Sequence, residues 1–206
     1  MSAALTLQSL PLFPLSTVLF PGGVLPLRIF ETRYMDMVRE RMQLDAPFGV
    51  CLITRGGEVG EAAEHEPVGT LAHIRGWDME QLGLLQLRTV GGTRFRILDR
   101  RVGGNGLIRA SVDELPDDPR VPVPDEMLDC EMLLRRIVED LRAREPDPEK
   151  RMIAEPHDFD SAAWIANRLC EFLPIQDAAR HRLMTLDDPL ARLSIVQRWL
   201  QQQQVI

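Results

Sequence analysis

The residue types that most often carry chemistry are scarce in this chain, and their spacing is informative. Of 24 basic residues, all but Lys150 are arginine. A phosphate-cradling loop needs glycines followed by a lysine and a Ser/Thr. Lys150 stands in "DPEKRM" with no glycine near it, which excludes a Walker-type nucleotide site. The same lysine lies in a charged segment, not in an apolar pocket that would lower its pKa, so it makes a poor partner for a Ser–Lys dyad. His65, His73, His157 and His181 are scattered over a loop, a strand, a linker and a helix, and none stands at metal-ligand spacing from a cysteine. His73 reads as a partly buried strand residue and the other three as solvated. Cys51, Cys130 and Cys170 are odd in number and far apart, which reads as reduced thiols packed as small core residues in a cytoplasmic setting. Asp117-Asp118 and Asp187-Asp188 adjoin prolines, where turn and cap chemistry accounts for them. No catalytic residue, metal ligand or cofactor site is expected.

The elements that would position any site divide at "LPDDPRVPVPDE" (115–126). Upstream, short runs such as "PFGVCLIT" (47–54), "VGTLAHIRGW" (68–77) and "LIRASVDEL" (107–115) are strand-like. "LLQLRTV" and "TRFRILDRRV" around Gly91-Gly92 read as a hairpin. Its second arm would point Phe95, Ile97 and Leu98 inward and leave Arg94, Arg96 and Asp99 solvated. Four glycine pairs (22-23, 56-57, 91-92, 103-104) each read as a turn. One early helix is expected over 30–42, with Phe30, Tyr34, Met37 or Val38, and Arg41 or Met42 at helical spacing. Downstream, Met127, Cys130, Leu134, Ile137 and Leu141 form an apolar seam on a helix over 125–145. Three more helices follow over 160–174, 175–186 and 187–204, with Asp160 or Ser161 and Asp187 or Asp188 as caps and Pro189 in the last helix's first turn. The fold class is α+β. The domain boundary falls at 118/119, giving a β-rich unit over 1–118 and a helical unit over 119–206.

The net charge is -7, from 24 basic and 31 acidic residues. That balance disfavours broad contact with nucleic acid or an anionic membrane. There is no apolar run of spanning length and no signal peptide pattern.

The stretch "LPLFPLSTVLFPGGVLPLRIFETRY" (10–34) is apolar yet holds Pro11, Pro14, Pro21 and Pro26. With "APFGVCLI", "VGTLAHI", "TVGGTRFRILD", "IRASVDELPDD" and the closing "FLPIQDAARHRLMTLDDPLARLSIVQRWL", it resembles the Lon protease substrate-binding domain family across nearly the whole chain. Thr32 stands where many relatives carry proline. The resemblance implies a PUA-like β pseudo-barrel followed by a helical bundle, without the ATPase and peptidase modules of the full protease. A chain beginning at Met1 favours a stand-alone form. In this reading the prolines belong to barrel-rim strands. Pro21-Gly22-Gly23 turns one strand into the next, and Pro26 sits at an edge that loses no ladder donor.

By that resemblance the function is a non-catalytic protein-binding module for unfolded or exposed hydrophobic segments, or an adaptor in proteolysis. The partners are unfolded or partly folded proteins and a protease or chaperone, and the oligomeric state is left open. RNA binding, known for other PUA-like folds, is the alternative. Apolar residues in loops mark the candidate protein-binding surface: Phe20, Pro21 and Val24 at one turn, and Trp77 and Met79 in "RGWDMEQLG" (75–83), read as a loop. The competing reading has Phe20 and Trp77 packed on the barrel's own core.

Overall fold

The computed structural model describes residues 6–81 and 83–206. The chain forms two compact units, Met1–Asp117 and Asp118–Ile206. In the first, β1 (Thr6–Leu15), β2 (Val24–Ile29), β3 (Phe48–Arg55), β4 (Glu64–Gln81), β5 (Leu84–Val102) and β6 (Ile108–Glu114) accompany one helix, α1 (Thr32–Gln43). The sheet order is β2-β5-β4-β3-β1-β6, and β6 also pairs with β5. Five strands, β1, β3, β4, β5 and β6, therefore close into a ring, and β2 extends it along the first half of β5.

Proline and strand are compatible here because each proline has an open side. Pro11 pairs with Arg109 of β6 before the β3 ladder begins at Leu12, and Pro14 pairs with Cys51 of β3 after the β6 ladder has ended at Leu12. A missing N–H on the open side breaks no ladder bond. Pro26 lies on β2, whose one strand neighbour among the described residues is β5. Pro21 and Gly22 occupy the centre of a turn closed by Gly23 N–H donating to the Phe20 carbonyl at 2.9 Å, with Gly22 at φ 73°. Proline second and a left-handed glycine third is the type II pattern.

The ring's interior is closed by Phe95, which has no exposure to solvent. A Cβ at Gly49 or at Gly69 would stand 2.7 Å from its ring tip. Those two glycines make the space it occupies. A second core lies where α1 covers the β2–β5 sheet, with Tyr34, Met37 and Val38 meeting Leu27, Ile29 and Leu87. Phe13 stacks on Tyr34 there, ring centroids 4.1 Å apart.

Several local expectations need correction. Gly91-Gly92 is not a turn. β5 runs through it, with a register shift against its hairpin partner β4, whose Gln81 pairs with Leu84. The glycines are required by close approach: a Cβ at Gly91 would meet the Phe20 carbonyl oxygen at 2.1 Å, and one at Gly92 would meet His73 Nε2 at 2.6 Å. "RGWDMEQLG" is not a loop either, since β4 continues to Gln81; Leu82 lies outside the described residues. His65 sits on β4 as well. In β5, Arg94 is buried, its Nη2 donating to the Pro116 carbonyl at 3.3 Å, and Leu98 is exposed. Phe30 precedes α1 and is exposed.

In the second unit, α2 (Leu128–Arg144), α3 (Ala162–Phe172), α4 (Asp177–Met184) and α5 (Pro189–Gln202) follow short 3-10 turns at Asp125–Met127 and Pro148–Lys150. Ser161 Oγ accepts the Trp164 N–H to cap α3, and Asp188 accepts from Leu190 and Ala191 to cap α5, with Pro189 at its first position. The buried stripe of α2 is Cys130, Leu134 and Val138, so Val138 takes the place expected of Ile137. His181 is buried, not solvated. Among the described residues no helix is long and apolar enough to cross a membrane.

Candidate functional site

α1 ends in a tight reversal. The Leu44 N–H returns to the Glu40 carbonyl, Asp45 takes a left-handed conformation at φ 46°, and the Ala46 N–H returns to the Arg41 carbonyl at 3.0 Å. Aspartate tolerates that conformation better than most side chains. The reversal sends the chain into β3 and leaves Met42 and Leu44 facing solvent, Leu44 at 62%.

Facing this corner is the stretch His73–Trp77 of β4. Between them lies a cavity of about 220 Å³, walled by Arg41, Met42 and Asp45 on one side and His73, Arg75 and Trp77 on the other. Arg41, Ala46 and His73 also line a neighbouring cavity of about 410 Å³, whose apolar lining includes Leu7, Leu10 and Leu71. Trp77 is 58% exposed and Met79 42%. Trp77 stands opposite Leu87 on the ladder, so its backbone is fixed by β5 while its indole stays open.

The charges around the groove are arranged. Glu40 is held below the usual carboxylate range, first by its hydrogen bond from Arg109 and then by Arg41. Arg109 Nη2 and Arg41 Nη2 reach its two oxygens, each at 2.5 Å. Burial and then Arg75 push His73 below the ordinary imidazole value against the pull of Asp45.

Of the residues singled out in the sequence, Phe20 is fully buried, and its backbone carbonyl packs against Gly91. Pro21 and Val24 are half-buried, and Val24 pairs with Val90. Trp77 and Met79 are exposed on a strand, where Trp77 joins Met42 and not the Phe20 turn. Leu44 and Met42 were missed, although Leu44 meets the same criterion of an apolar residue in a polar connection.

Nothing in this groove resembles a nucleophile. Cys51, Cys130 and Cys170 are buried, and burial pushes the Cys130 and Cys170 thiols up to about 12. Among the described residues no group of three His, Cys, Asp or Glu could hold a metal. A separate cavity of about 290 Å³ is lined by Arg100, Arg101, Arg109, Asp99 and Ser9.

The closed β ring and the four-helix second unit can be set beside one known family. The chain belongs to it: the family model of the ATP-dependent protease La (LON) substrate-binding domain matches residues 9–202. The solved Lon N-terminal domain protein from Xanthomonas campestris is 34% identical with a TM-score of 0.75, covering 94% of this chain and 99% of its own. The N-terminal domain of Mycobacterium avium complex Lon protease shares the fold at 17% identity and a TM-score of 0.60, covering 93% of this chain and 97% of its own. Protein cereblon of Gallus gallus is 32% identical over 114 residues, 53% of this chain and 24% of the chicken protein. The Danio rerio protein of the same name is 29% identical over 116 residues, 54% of this chain and 26% of its own. The chain thus spans about a quarter of the length of these curated relatives.

Proposed function

We propose that the chain is a non-catalytic protein-binding module that captures unfolded or partly folded proteins at the groove between α1 and β4, serving a protease or chaperone in the cytoplasm. The observation that carries this reading is Trp77, 58% exposed on β4 where it pairs with Leu87 of β5 beside the groove. Trp77 holds a large apolar surface at the rim of the groove. Tryptophan and methionine give much contact area for little ordering cost and adapt to varied apolar side chains. The family's description as a substrate-binding domain supports the same reading. In the test, a reduced, carboxymethylated unfolded protein is titrated onto the chain. Trp77→Ala with Met79→Ala weakens its binding by about 1–3 kcal/mol and leaves the melting temperature nearly unchanged. Equal binding by the double variant overturns the reading.

The cavity with Arg100, Arg101 and Arg109 is the feature that favours RNA instead. Asp99 in the same wall, Glu40 on Arg109 and the net charge of -7 weigh against it. RNA binding with the steep salt dependence of phosphate contacts, lost on Arg101→Ala, would favour that alternative.

A further inference from the structure

Arg101 of β5 and Arg109 of β6 stand directly opposite each other on the ladder. Like charges in that relation repel. Arg109 is compensated: Glu40 pairs with its Nη2, and the Ser9 carbonyl accepts from its Nη1 at 3.3 Å. Arg101 is not. Its Nη2 reaches the Ser9 hydroxyl at 3.5 Å, and among the described residues no carboxylate pairs with it.

Arg100 is likewise held by an uncharged group. A guanidinium has donors and no acceptor, so His65 Nε2, 3.1 Å from Arg100 Nη1, accepts. The ring proton then sits on Nδ1, which donates to the Glu66 carbonyl at 2.9 Å. In this arrangement the imidazole is neutral, so it aims Arg100 without cancelling its charge.

All three arginines line the cavity of about 290 Å³, with Ser9 and Asp99. Part of that lining is a bulge. β1 shifts register against β6 between Leu7 and Leu10, and Ser9 takes φ 59° there. A left-handed serine is uncommon, and a bulge re-aims side chains. This one sets the Ser9 hydroxyl against Arg101 and the Ser9 carbonyl against Arg109. Asp99, the carboxylate in the lining, forms an ion pair with neither Arg100 nor Arg101. In a chain of net charge -7, two guanidinium groups thus meet at one cavity with no carboxylate paired to either.

We propose that this cavity binds a small phosphate dianion, such as a phosphate monoester, in the N–H forks of Arg100 and Arg101. The planar fork of arginine matches phosphate oxygens in pairs. Two unpaired positive charges match a dianion. A monocarboxylate, or one phosphodiester of a nucleic acid, carries a single charge and answers half of them. The site is separate from the groove and independent of the protein-binding reading.

The test titrates inorganic phosphate onto the full chain by calorimetry, at constant ionic strength and about pH 8, where phosphate is dianionic. Saturable binding at one site per chain is expected, with acetate at least about tenfold weaker. Arg101→Lys keeps the charge and removes the fork, and is expected to weaken phosphate at least about tenfold. Asp99→Asn removes a repelling charge and is expected to tighten it. Both residues are exposed, so neither substitution disturbs the fold. No saturable binding overturns the proposal. So does an Arg101→Lys variant that binds like the parent, since phosphate then feels a diffuse field and no fork. A single-stranded RNA oligonucleotide that binds more tightly than phosphate also overturns it, and favours the RNA alternative above.

Discussion

The Arg192 guanidinium holds both carboxylate oxygens of Asp118, at 2.6 and 3.2 Å, from a site with no solvent exposure. Its remaining N–H directions are also used. Nε donates to the Leu183 carbonyl at 2.8 Å, Nη1 to Asn167 Oδ1 at 2.8 Å, and Nη2 to the Leu186 carbonyl. One side chain of α5 thereby ties together α3, the end of α4 and the segment that enters the helical unit. Removing one partner of a buried pair strands the other charge, at about 3–5 kcal/mol. Asp118→Ala is expected to lower the stability of the helical unit by that amount, read as a fall in the urea midpoint. An unchanged midpoint would show that the pair only breaks even.

Glu171 responds to pH. Arg168 Nη2 donates to its Oε1 at 2.8 Å, which favours the carboxylate, yet burial outweighs the guanidinium and lifts the group to about 7 from 4.5. The folded chain therefore keeps a proton that the unfolded chain releases, and stability falls as pH rises from about 4.5 to about 7. Glu171→Gln removes that slope. Its stability relative to the parent is expected to be greater at pH 8 than at pH 5, measured by urea unfolding at both. A constant difference would refute the shift.

Gly91 and Gly104 separate the two uses of glycine. A methyl on Gly91 collides with the Phe20 carbonyl oxygen, whereas one on Gly104 meets nothing within 4 Å. Gly91→Ala is expected to cost about 1–3 kcal/mol, as overpacking does. Gly104→Ala is expected to be neutral or to stabilise by a few tenths of a kcal/mol. Melting temperatures of the two variants decide it.

Phe20 and Trp77 form a matching pair of opposites. Phe20→Ala opens a cavity and is expected to cost about 3–5 kcal/mol. Trp77→Ala is expected to stay within about 0.5 kcal/mol of the parent, because the indole is largely outside. Comparable losses in a urea titration would place Trp77 in the core.

What could be read from the sequence depended on the range of the cause. The caps Ser161 and Asp188 and the turn Pro21-Gly22 act on neighbouring amides, so their residue types and positions were enough. Gly91-Gly92 looked like a turn because the reason for its glycines, the Phe20 carbonyl and the His73 ring, lies on distant segments. Arg94 reads as solvated because the carbonyl that lets it be buried, that of Pro116, lies beyond the next strand. Trp77 sits in a segment with no apolar alternation, and only pairing with β5 makes it a strand. Met42 in the groove wall, with Leu44 exposed just past it, belongs to a helix end that periodicity places but cannot aim. Family resemblance was legible because its motif depends on ordered prolines and glycines that few folds require.

The closure of the ring has a consequence for how the protein is made. The β1–β6 seam joins the first strand to the last, with Thr6 Oγ1 donating to Asp113 Oδ1 at 2.6 Å. Joining ends so far apart costs about 4 kcal/mol of chain entropy, and contacts of such long range slow folding. During synthesis β3, β4 and β5 can zip as neighbours, but β1 must wait for its far-side partner until residues 108–114 have left the ribosome. A waiting strand is an invitation to intermolecular pairing. Pro14, harmless in the finished ring, leaves the far-side edge of β1 one donor short during that interval. A proline that makes the opening segment look unlike a strand is thus a guard on the unfinished one.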